Sequence, residues 1–566
     1  MTQPLIECVP NFSVGRDQTV IAAITDAIVA VDGVELLDVD PGEATNRTVV
    51  TFVGPPRPVL DAAVAAAKKA VELIDMAQHH GEHPRFGAMD VCPLVPVGGI
   101  GMDETVVQAR ELGRRLGDEV GLTVFCYEQA AFDDRRRNLA AVRAGEYEGL
   151  EDKLKDPAWQ PDFGPATFNR RSGATAVGAR DFLIAYNVNL NTTSTRRANA
   201  IAFDVREKGR IKRAGNPLTG EIVRDDAGEP VWLPGTLKCV KAIGWYIDEY
   251  GIAQISMSLT NIAVTPVHVA FDEVVAKAAA RGVRVTGSEL VGLIPLTAML
   301  DAGRYFLEKQ SRSLGVPDDE LIKIAVKSLG LDDLKPFDPN EKIIEYRLRD
   351  PEREGKRLVA RTVTGFVHET ASESVAPGGG SVAALAGALG AALGTMVANL
   401  SAHKRGWDER WREFSEHAVR GKACHGALLT LVDEDTDAFN RIMAASRLPQ
   451  GTAAEKAARD QALAEATRGA IEVPLQVMTT ALDAMATIRA MAETGLPSSV
   501  SDAAVGALCA RAAVRGAHYN VRINVGDLAD DAARKDYLAS AAGLDRKAAE
   551  LEDAILTLVD RRMAES

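Results

Sequence analysis

The chain of 566 residues has few cysteines and no excess of positive charge, and each scarcity argues against a class of protein. A formal net charge of -14 argues against a general nucleic-acid-binding protein. The first twelve residues lack a basic segment followed by an apolar run, so no secretory signal is expected. Reduced thiols in a cytoplasmic protein are expected, because the six cysteines form no C-x-x-C pair: Cys8, Cys92, Cys126, Cys239, Cys424 and Cys509.

One uncharged run, residues 381–402, is long enough to cross a bilayer. It consists mostly of Ala, Gly and Ser, which each bury little area, and amphipathic helical patterns follow it. These features favour a central helix of a soluble protein that packs closely on its neighbours, so no membrane partner is expected.

The first hundred residues show two periodicities in a fixed order. The patterns predict a strand at 5–13, a helix at 16–31, strands at 34–40 and 46–54, a helix that begins at Pro55 and runs to Ile74, and a strand at 91–97. This order of strand, helix, two strands, helix and strand is the split βαβ arrangement of ferredoxin-like sheets. A helix at 104–117 and a strand at 122–127 extend it.

The same order restarts after residues 158–180, a segment without periodicity that is predicted to be a binding loop. A polar excursion at 209–236 interrupts this second half. Its predicted elements are a strand at 181–190, a helix at 193–208, strands at 238–247 and 252–260, a helix at 267–281 and a strand at 283–287. The patterns thus predict an α/β region made of two ferredoxin-like βαββαβ halves, whose free sheet faces cover each other or a ligand.

Strand patterns end at a charged stretch, residues 347–362, which is predicted to be a linker. Helical patterns continue to the last residue, so the C-terminal region is predicted to be all-α. The predicted domains are 1–182, 183–346 and 363–566, with the linker before the last.

The most reactive stretch is HHGEHPRFGAMD, residues 79–90. Glycine and proline alternate with His79, His80 and His83, so a rigid loop presents imidazoles beside Glu82 and Arg85. This combination suits proton transfer next to an anionic substrate. A metal site is the alternative, although no helical H-E-x-x-H motif and no neighbouring cysteine support it.

In the helical region, Asp435 interrupts the apolar stripe of a helix predicted at 420–442. Burial would raise the pKa of this carboxyl and make it a proton donor near neutral pH, whereas Asp433 and Asp437 face elsewhere and are predicted to be solvated. The alternative is a structural aspartate that caps a helix or pairs with an arginine. The Gly-rich turn APGGGSVAA (376–384) is either an anion-binding helix start or a turn capped by Ser381. Further pocket candidates are His518, Tyr519, Asn520, Asn524 and Asp527.

These strings resemble the bifunctional formimidoyltransferase-cyclodeaminase family over nearly the whole chain. The transferase half of that family is similar to ECVPNFSVGRD (7–17), LLDVDPGEATNRTVVTFVG (36–54), HHGEHPRFGAMDVCP (79–93), PDFGPATFNRRSGATAVGAR (161–180) and GSELVGLIPL (287–296). The cyclodeaminase half is similar to APGGGSVAA, LVDEDTDAF (431–439) and the block 501–528.

The resemblance implies a transferase and an ammonia-lyase of histidine degradation and one-carbon metabolism. The first activity moves the formimino group of N-formimino-L-glutamate to tetrahydrofolate, and the second cyclises 5-formimino-tetrahydrofolate to 5,10-methenyl-tetrahydrofolate with loss of ammonia. Tetrahydrofolate, with or without a polyglutamate tail, is thus a co-substrate, and no metal or redox cofactor is expected. A cytoplasmic homo-oligomer, built from dimers and up to an octamer, is also expected.

The resemblance assigns acid–base catalysis to His83 in the first reaction and proton donation to Asp435 in the second. Asp40 is a hypothetical positioning group for the imidazole or the pterin, and Arg47 and Arg85 are candidates for the substrate carboxylates. Two folate-binding segments are implied: Gly164, Pro165, Ala166, Thr167, Phe168, Asn169, Arg170, Arg171, Ser172 and Gly173, and then Gln461, Ala462, Leu463, Ala464, Glu465, Ala466, Thr467, Arg468 and Gly469. Two alternatives stay open: a transferase fused to a methenyl-tetrahydrofolate cyclohydrolase-like or inactive helical domain, and a folate-binding scaffold without turnover.

Overall fold

A computed structural model describes residues 4–43, 45–81, 84–215, 219–349, 355–528 and 530–565. The chain forms two compact units. The first, called the sheet unit here, contains residues 1–298 and 329–348, and the second, the helical unit, contains residues 299–328 and 349–566.

The sheet unit begins with a seven-stranded sheet in which the ferredoxin-like order is extended by two parallel strands. Strand β3 pairs with β4, β4 pairs with β1 and β2, and these two short strands pair with β5; β7 and β6 follow in parallel. The elements are β1 (Leu5–Cys8), β2 (Asn11–Phe12), α1 (Gln18–Val29), β3 (Glu35–Gly42), β4 (Arg47–Gly54), α2 (Pro56–Leu73), β5 (Met89–Gly98), α3 (Met102–Arg115), β6 (Thr123–Glu128), α4 (Leu139–Val142), α5 (Leu150–Lys153) and β7 (Ala174–Ala179).

A second, four-stranded antiparallel sheet repeats this topology, with the strand order β11, β12, β8, β13. Helices α6 and α7 pack on one of its faces. The elements are β8 (Ile184–Leu190), α6 (Thr195–Val205), β9 (Arg210–Ile211), β10 (Trp232–Leu233), β11 (Val240–Ile247), β12 (Ile252–Leu259), α7 (Val267–Ala279), β13 (Val285–Val291), α8 (Leu296–Lys309), α9 (Asp318–Leu329), α10 (Pro339–Lys342) and α11 (Ile344–Arg347). The predicted repetition of two βαββαβ halves is confirmed.

The predicted loop 158–180 is wrong at its C-terminal end, because residues 174–179 form β7. This strand lies between β5 and β6 in parallel register, and all six of its residues are buried. Its sequence, ATAVGA, does not alternate between apolar and polar residues, because a parallel strand that is covered on both faces has no side exposed to water. Residues 209–236 form a small excursion that includes the pair β9 and β10, with residues 216–218 outside the described ranges.

Helices α8 and α9 lie mainly in the helical unit, which differs from their predicted place in the 183–346 domain. Between them, Ser313 donates a hydrogen bond to Asn399 at 2.6 Å, and Gly315 packs directly on Ala418. A side chain at Gly315 would collide with the Ala418 backbone, so the close approach requires glycine. The three predicted boundaries themselves stay predictions.

The helical unit is built from long helices, as predicted from residue 363 onward. They are α12 (Val363–Thr370), α13 (Gly379–Ala402), α14 (Trp411–Ser446), α15 (Ala453–Thr494), α16 (Val500–Asn524) and α17 (Asp531–Ala564). Helix α13 passes the length and composition test for a membrane span, with a mean hydropathy of 1.8 over its most apolar window, yet 61% of that window is buried inside the unit. Its small residues allow α14 and α16 to approach closely, as at Gly387 and Gly390, and Gly394 allows the close approach of α15 at Ile488.

Within the predicted linker 347–362, the structure describes residues 347–349 and 355–362. A short 3₁₀ turn, Leu358–Ala360, packs against α14. The Leu358 N–H donates a hydrogen bond to the Asp433 carboxylate at 2.6 Å, and Arg357 Nε donates another at 3.3 Å. The prediction that Asp433 is solvated is therefore wrong, because this carboxylate binds the linker.

Candidate active sites

A cavity of about 290 Å³ lies between the free faces of the two sheets in the sheet unit. Helices cover the other face of each sheet, which leaves these faces to meet. Most of the wall is apolar, and its ionisable members are Glu7, Asp38, Asp40, Arg47, Tyr127 and Arg180. The cavity is at the small end of the range of ligand-binding pockets.

Glu7 is the most deeply buried carboxyl of this wall, with 5% of its surface exposed. It lies on β1, where Ile6 and Cys8 point into the helix-covered core and Glu7 points to the opposite face. Burial raises the pKa of Glu7 to about 7, and the nearby Arg180 guanidinium lowers it less strongly. The sequence analysis missed this residue, because a polar residue in a strand ordinarily faces water.

Asp40 lies at the end of β3 on the rim of the same cavity. It also lines an adjoining cavity of about 310 Å³ together with Asp38, Glu289 and Lys342. Partial desolvation raises the pKa of Asp40, the Asp38 charge raises it further, and Lys342 opposes the rise. The structure thus places Asp40 at the candidate site, and its role as a positioning group stays a prediction.

Arg47 reaches the cavity wall but is held by protein groups. It forms an ion pair with the fully buried Asp90, and Arg143 donates a second hydrogen bond to the same carboxylate oxygen at 2.7 Å. Arg47 also donates two hydrogen bonds to the Asn11 side chain, at 3.1 and 2.9 Å. Burial and the Arg143 charge lower the pKa of Arg47 to about 9. Its contact with a substrate carboxylate stays a prediction, and the geometry shows first a structural ion-pair network.

His83 and Glu82 lie outside the described residues, so their predicted roles have no structural test here. The preceding His79 is buried and its Nε2 lies 2.7 Å from the Asn46 carbonyl oxygen. Burial lowers the pKa of His79, the Asn46 hydrogen bond opposes this, and Arg85 lowers it again. His79 therefore holds the start of the histidine loop, which is the name used here for residues 79–90.

Arg85 has a structural environment that differs from the predicted substrate contact. It donates hydrogen bonds to the Met76 carbonyl at 2.8 Å, to the His79 carbonyl, and to the Glu148 carboxylate. Its guanidinium also lies over the Tyr147 ring, 4.7 Å from the centroid. Among the described residues that line the two cavities above, Arg85 is absent, and its hydrogen bonds favour a role in holding the loop of residues 79–90.

The predicted folate segment 164–173 is an exposed loop fixed at both ends. Gly164 and Gly173 both have positive φ and pack against backbone, so neither position tolerates a side chain. The Arg171 carbonyl accepts a hydrogen bond from Met76 N–H at 2.9 Å, and the Ser172 carbonyl accepts one from Ala88 N–H at 2.8 Å. These bonds place the segment beside both ends of the histidine loop. Folate binding by it stays a prediction.

The helical unit contains a cavity of about 180 Å³ at the first turn of α13. Asp435 on α14 lines it and accepts two hydrogen bonds from Ser381, from the backbone N–H at 2.8 Å and from Oγ at 3.1 Å. Burial raises the pKa of Asp435, and the two bonds from Ser381 oppose the rise. Asp435 thus caps a neighbouring helix and also faces a cavity, and its role as a proton donor stays a prediction.

Gly380 makes this arrangement possible. A Cβ at Gly380 would lie 1.9 Å from the nearer Asp435 oxygen, so only glycine lets the carboxylate reach the helix start. The helix is capped by Gly378 rather than by Ser381, which lies inside the first turn. The Gly-rich turn therefore allows the Asp435 carboxylate to approach the first turn of α13 closely.

Asn520 and Asn524, one turn apart on α16, line the same cavity. Asn524 Nδ2 donates a hydrogen bond to the Ala470 carbonyl at 2.6 Å. Ala470 follows directly after the predicted folate segment 461–469. The C-terminal end of this segment therefore lies at the cavity edge, while most of the segment lies on the outer surface of α15. His518 instead contacts the Asp545 carboxylate at 3.4 Å, and Tyr519 is exposed.

Within the described ranges, no group of three His, Cys, Asp or Glu side chains is arranged to hold a metal ion. Glu82 and His83 are outside those ranges, so the metal-free reaction stays a prediction.

Two separate cavities, each with a buried or half-buried carboxyl of raised pKa, are the arrangement expected of an enzyme with two acid–base sites. Models of three protein families match the chain: the N-terminal subdomain of the formiminotransferase domain over residues 5–180, the formiminotransferase domain over 185–349, and formiminotransferase-cyclodeaminase over 362–543. The formimidoyltransferase-cyclodeaminase of Gallus gallus is 42% identical over 560 residues, which is 99% of each chain. The chain belongs to the formimidoyltransferase-cyclodeaminase family.

Two shorter proteins each match part of the chain. The glutamate formimidoyltransferase of Thermoplasma acidophilum is 42% identical over 306 residues, 54% of this chain and 92% of that protein. The methenyltetrahydrofolate cyclohydrolase of Methylorubrum extorquens is 33% identical over 202 residues, 36% of this chain and 97% of that protein.

Proposed function

We propose that this chain catalyses two consecutive folate reactions at two sites. The sheet unit transfers the formimino group of N-formimino-L-glutamate to tetrahydrofolate and releases L-glutamate. The helical unit then cyclises 5-formimino-tetrahydrofolate to 5,10-methenyl-tetrahydrofolate and releases ammonia. The observation that carries the proposal is the presence of two cavities in units of different architecture, each with its own candidate acid–base group.

In the first reaction, the N5 lone pair of tetrahydrofolate forms a bond to the formimino carbon, and the C=N electron pair moves to nitrogen. The N5 proton is removed, and the nitrogen lone pair forms the C=N bond again as the bond to the glutamate nitrogen breaks and that nitrogen receives a proton. His83 is proposed to accept the first proton and to return one to the leaving amine, since an imidazole exchanges protons at neutral pH. Asp40 at the cavity rim is proposed to orient this imidazole or the pterin.

In the second reaction, N10 attacks the same carbon, loses its proton, and ammonia leaves with the proton that its nitrogen needs. Asp435 is proposed to supply that proton, because burial raises its pKa and keeps more of the carboxyl protonated. The substrate is proposed to lie between Asp435, the amides of the α13 start and the two asparagines of α16, with the 461–469 segment at its edge. Folate in the sheet unit is proposed to contact the 164–173 loop.

The enzyme is further proposed to act in the cytoplasm as a homo-oligomer, with tetrahydrofolate as co-substrate and without a metal or redox cofactor. The small-residue surface of α13 supports close helix packing.

The test is an assay of the purified protein with N-formimino-L-glutamate and tetrahydrofolate. One glutamate and one ammonia are expected for each methenyl-tetrahydrofolate formed. Glutamate without ammonia would remove the second activity from the proposal, and ligand binding without either product would leave a folate-binding scaffold.

A second candidate for the helical unit is methenyl-tetrahydrofolate cyclohydrolase activity, favoured by its 33% identity to a cyclohydrolase. In that reaction water adds to the methenyl carbon, the ring opens to 10-formyl-tetrahydrofolate and one proton is released. Supplying 5,10-methenyl-tetrahydrofolate to the purified protein separates the two: a cyclohydrolase consumes it faster than the buffer does, and a cyclodeaminase without this activity does not.

A further inference from the structure

Glu7 has no role in the transfer reaction proposed above, although it lines the same cavity. It is 5% exposed, and no residue that the structure describes donates a hydrogen bond to its carboxylate. A buried carboxylate ordinarily accepts several hydrogen bonds, because an unsatisfied charge in the interior is costly. Its oxygens face the cavity between the two sheets, so the missing donors have room to come from a ligand.

The neighbouring cations do not neutralise Glu7. Arg47 is held by Asp90 and Asn11. Arg180 lines the same cavity and donates a hydrogen bond to the Asp181 carbonyl, but in the described part of the chain no ion pair joins it to Glu7. The wall of the cavity therefore contains the Glu7 carboxylate and the Arg180 guanidinium, and both groups face the open space.

The proposed substrate carries complementary groups. The formimino group is an amidine, which is protonated at neutral pH to a planar cation with N–H donors on both nitrogens. Planar cations of this kind pair with carboxylates through two parallel hydrogen bonds, as arginine does. The rest of N-formimino-L-glutamate carries two carboxylates, for which Arg180 in the wall of the same cavity is a candidate donor. Tetrahydrofolate offers no such cation.

We infer that Glu7 binds the protonated formimino group of N-formimino-L-glutamate in the sheet-unit cavity, with Arg180 directed at a substrate carboxylate. The inference rests on the proposed function and names the residue that recognises the group to be transferred. A bound carboxylate keeps the amidine protonated, so its carbon stays electrophilic while the N5 lone pair attacks. The protons move as described above, and Glu7 neither gains nor loses one overall.

The electrostatics of the cavity support this role. Burial raises the pKa of Glu7 to about 7, with Arg180 lowering it, and a bound cation would hold the carboxylate ionised. Substrate binding is therefore expected to weaken as the pH falls below about 7. The titratable and charged groups that surround Glu7 on the neighbouring elements are Asp38 and Asp40 on β3, Arg47 on β4, Cys92 on β5, Tyr127 on β6, Arg180 after β7 and Cys8 on its own strand.

The test compares Glu7→Gln, Glu7→Asp and the control Glu111→Gln, a surface substitution on α3, in the transfer assay. Loss of charge-assisted hydrogen bonds should raise the KM for N-formimino-L-glutamate about ten- to a hundredfold in Glu7→Gln. The KM for tetrahydrofolate should change less than twofold, Glu7→Asp should recover part of the loss, and Glu111→Gln should match the wild type. The rise of the wild-type KM below about pH 7 should disappear in Glu7→Gln.

The inference is overturned if Glu7→Gln keeps the wild-type KM for N-formimino-L-glutamate, or if only the KM for tetrahydrofolate rises. A wild type that releases no glutamate would instead refute the proposed function. The pH dependence of the wild-type KM needs no variant, so a Glu7→Gln protein that fails to fold still leaves a decisive measurement, and a flat profile from pH 5.5 to 8.5 would overturn the inference.

Discussion

The two units bury acidic side chains in different ways. Glu7 lies on a strand, is nearly inaccessible to solvent and receives no hydrogen bond from the described residues, and burial raises its pKa to about 7. Asp435 lies on a helix and accepts two hydrogen bonds from Ser381, which oppose the effect of burial. The sheet unit leaves its carboxyl open for a ligand, whereas the helical unit fixes its carboxyl with protein donors. A carboxyl that binds substrate and a carboxyl that donates a proton can thus be distinguished by what already binds them.

Replacing Asp435 by asparagine tests the helical unit and should have one of the two largest effects. The amide cannot donate an acidic proton, so cyclisation of supplied 5-formimino-tetrahydrofolate should fall about 10²- to 10⁴-fold. The rate is measured by the absorbance of 5,10-methenyl-tetrahydrofolate together with ammonia release. Asp437→Asn, at an exposed position on the same helix, is the control and should stay near the wild-type rate. Cyclisation at the wild-type rate in Asp435→Asn would exclude the proton-donor role.

Replacing His83 by alanine tests the sheet unit and should have an effect of similar size. Loss of the acid–base group should reduce transfer about 10²- to 10⁴-fold. Glutamate release from N-formimino-L-glutamate and tetrahydrofolate measures it. His368→Ala, an exposed histidine of the helical unit, is the control. If transfer survives in His83→Ala, the acid–base group must be sought among the cavity residues instead.

Replacing Gly380 by alanine should have an intermediate effect on the helical site. The new methyl group would lie 1.9 Å from the Asp435 carboxylate and displace it. Overpacking of this kind costs about 1–3 kcal/mol, which corresponds to a loss of about 5- to 150-fold in cyclisation. Gly426→Ala on α14, where a Cβ meets no atom within 4 Å, is the matched control. Equal cyclisation rates in the two variants would show that the contact of Gly380 with Asp435 does not position the carboxyl.

Replacing Ser381 by alanine should have the smallest effect and sharpens the comparison between the two carboxyls. The 3.1 Å hydrogen bond from Oγ stabilises the ionised form of Asp435, so its loss should raise the pKa of that carboxyl further. Because the protonated form acts as the donor, the decline of cyclisation at high pH should move to higher pH. The pH profile of kcat measures the change, with Ser446→Ala as control. A shift to lower pH would contradict the assignment.

The periodicities predicted the elements of the fold well, because each half of the sheet unit shows the two repeats that ferredoxin-like sheets require. Strand β7 was missed, since Ala, Thr and Gly in a doubly covered parallel strand leave no alternation to detect. Glu7 was missed for a related reason. Its position alternates with Ile6 and Cys8 as an exposed strand residue would, and only the second sheet buries it.

The site predictions depended on contacts that the sequence does not contain. Asp435 was found because it interrupts an apolar stripe, but its partner Ser381 is 54 positions away in sequence. Asp433 was predicted to be solvated and instead binds Leu358 N–H in the linker, since a helix surface can be covered by a distant segment. Arg85 was predicted to bind substrate. In the structure it donates hydrogen bonds to two carbonyl oxygens, pairs with Glu148 and lies over the Tyr147 ring. No local sequence motif indicates these contacts.

The central claim is that two sites in two units catalyse two reactions, and the most direct measurement assays both activities side by side in His83→Ala and Asp435→Asn. His83→Ala should lose transfer and cyclise supplied 5-formimino-tetrahydrofolate at the wild-type rate. Asp435→Asn should release glutamate at the wild-type rate and release ammonia about 10²- to 10⁴-fold more slowly. A parallel loss of both activities in either folded variant would contradict the account.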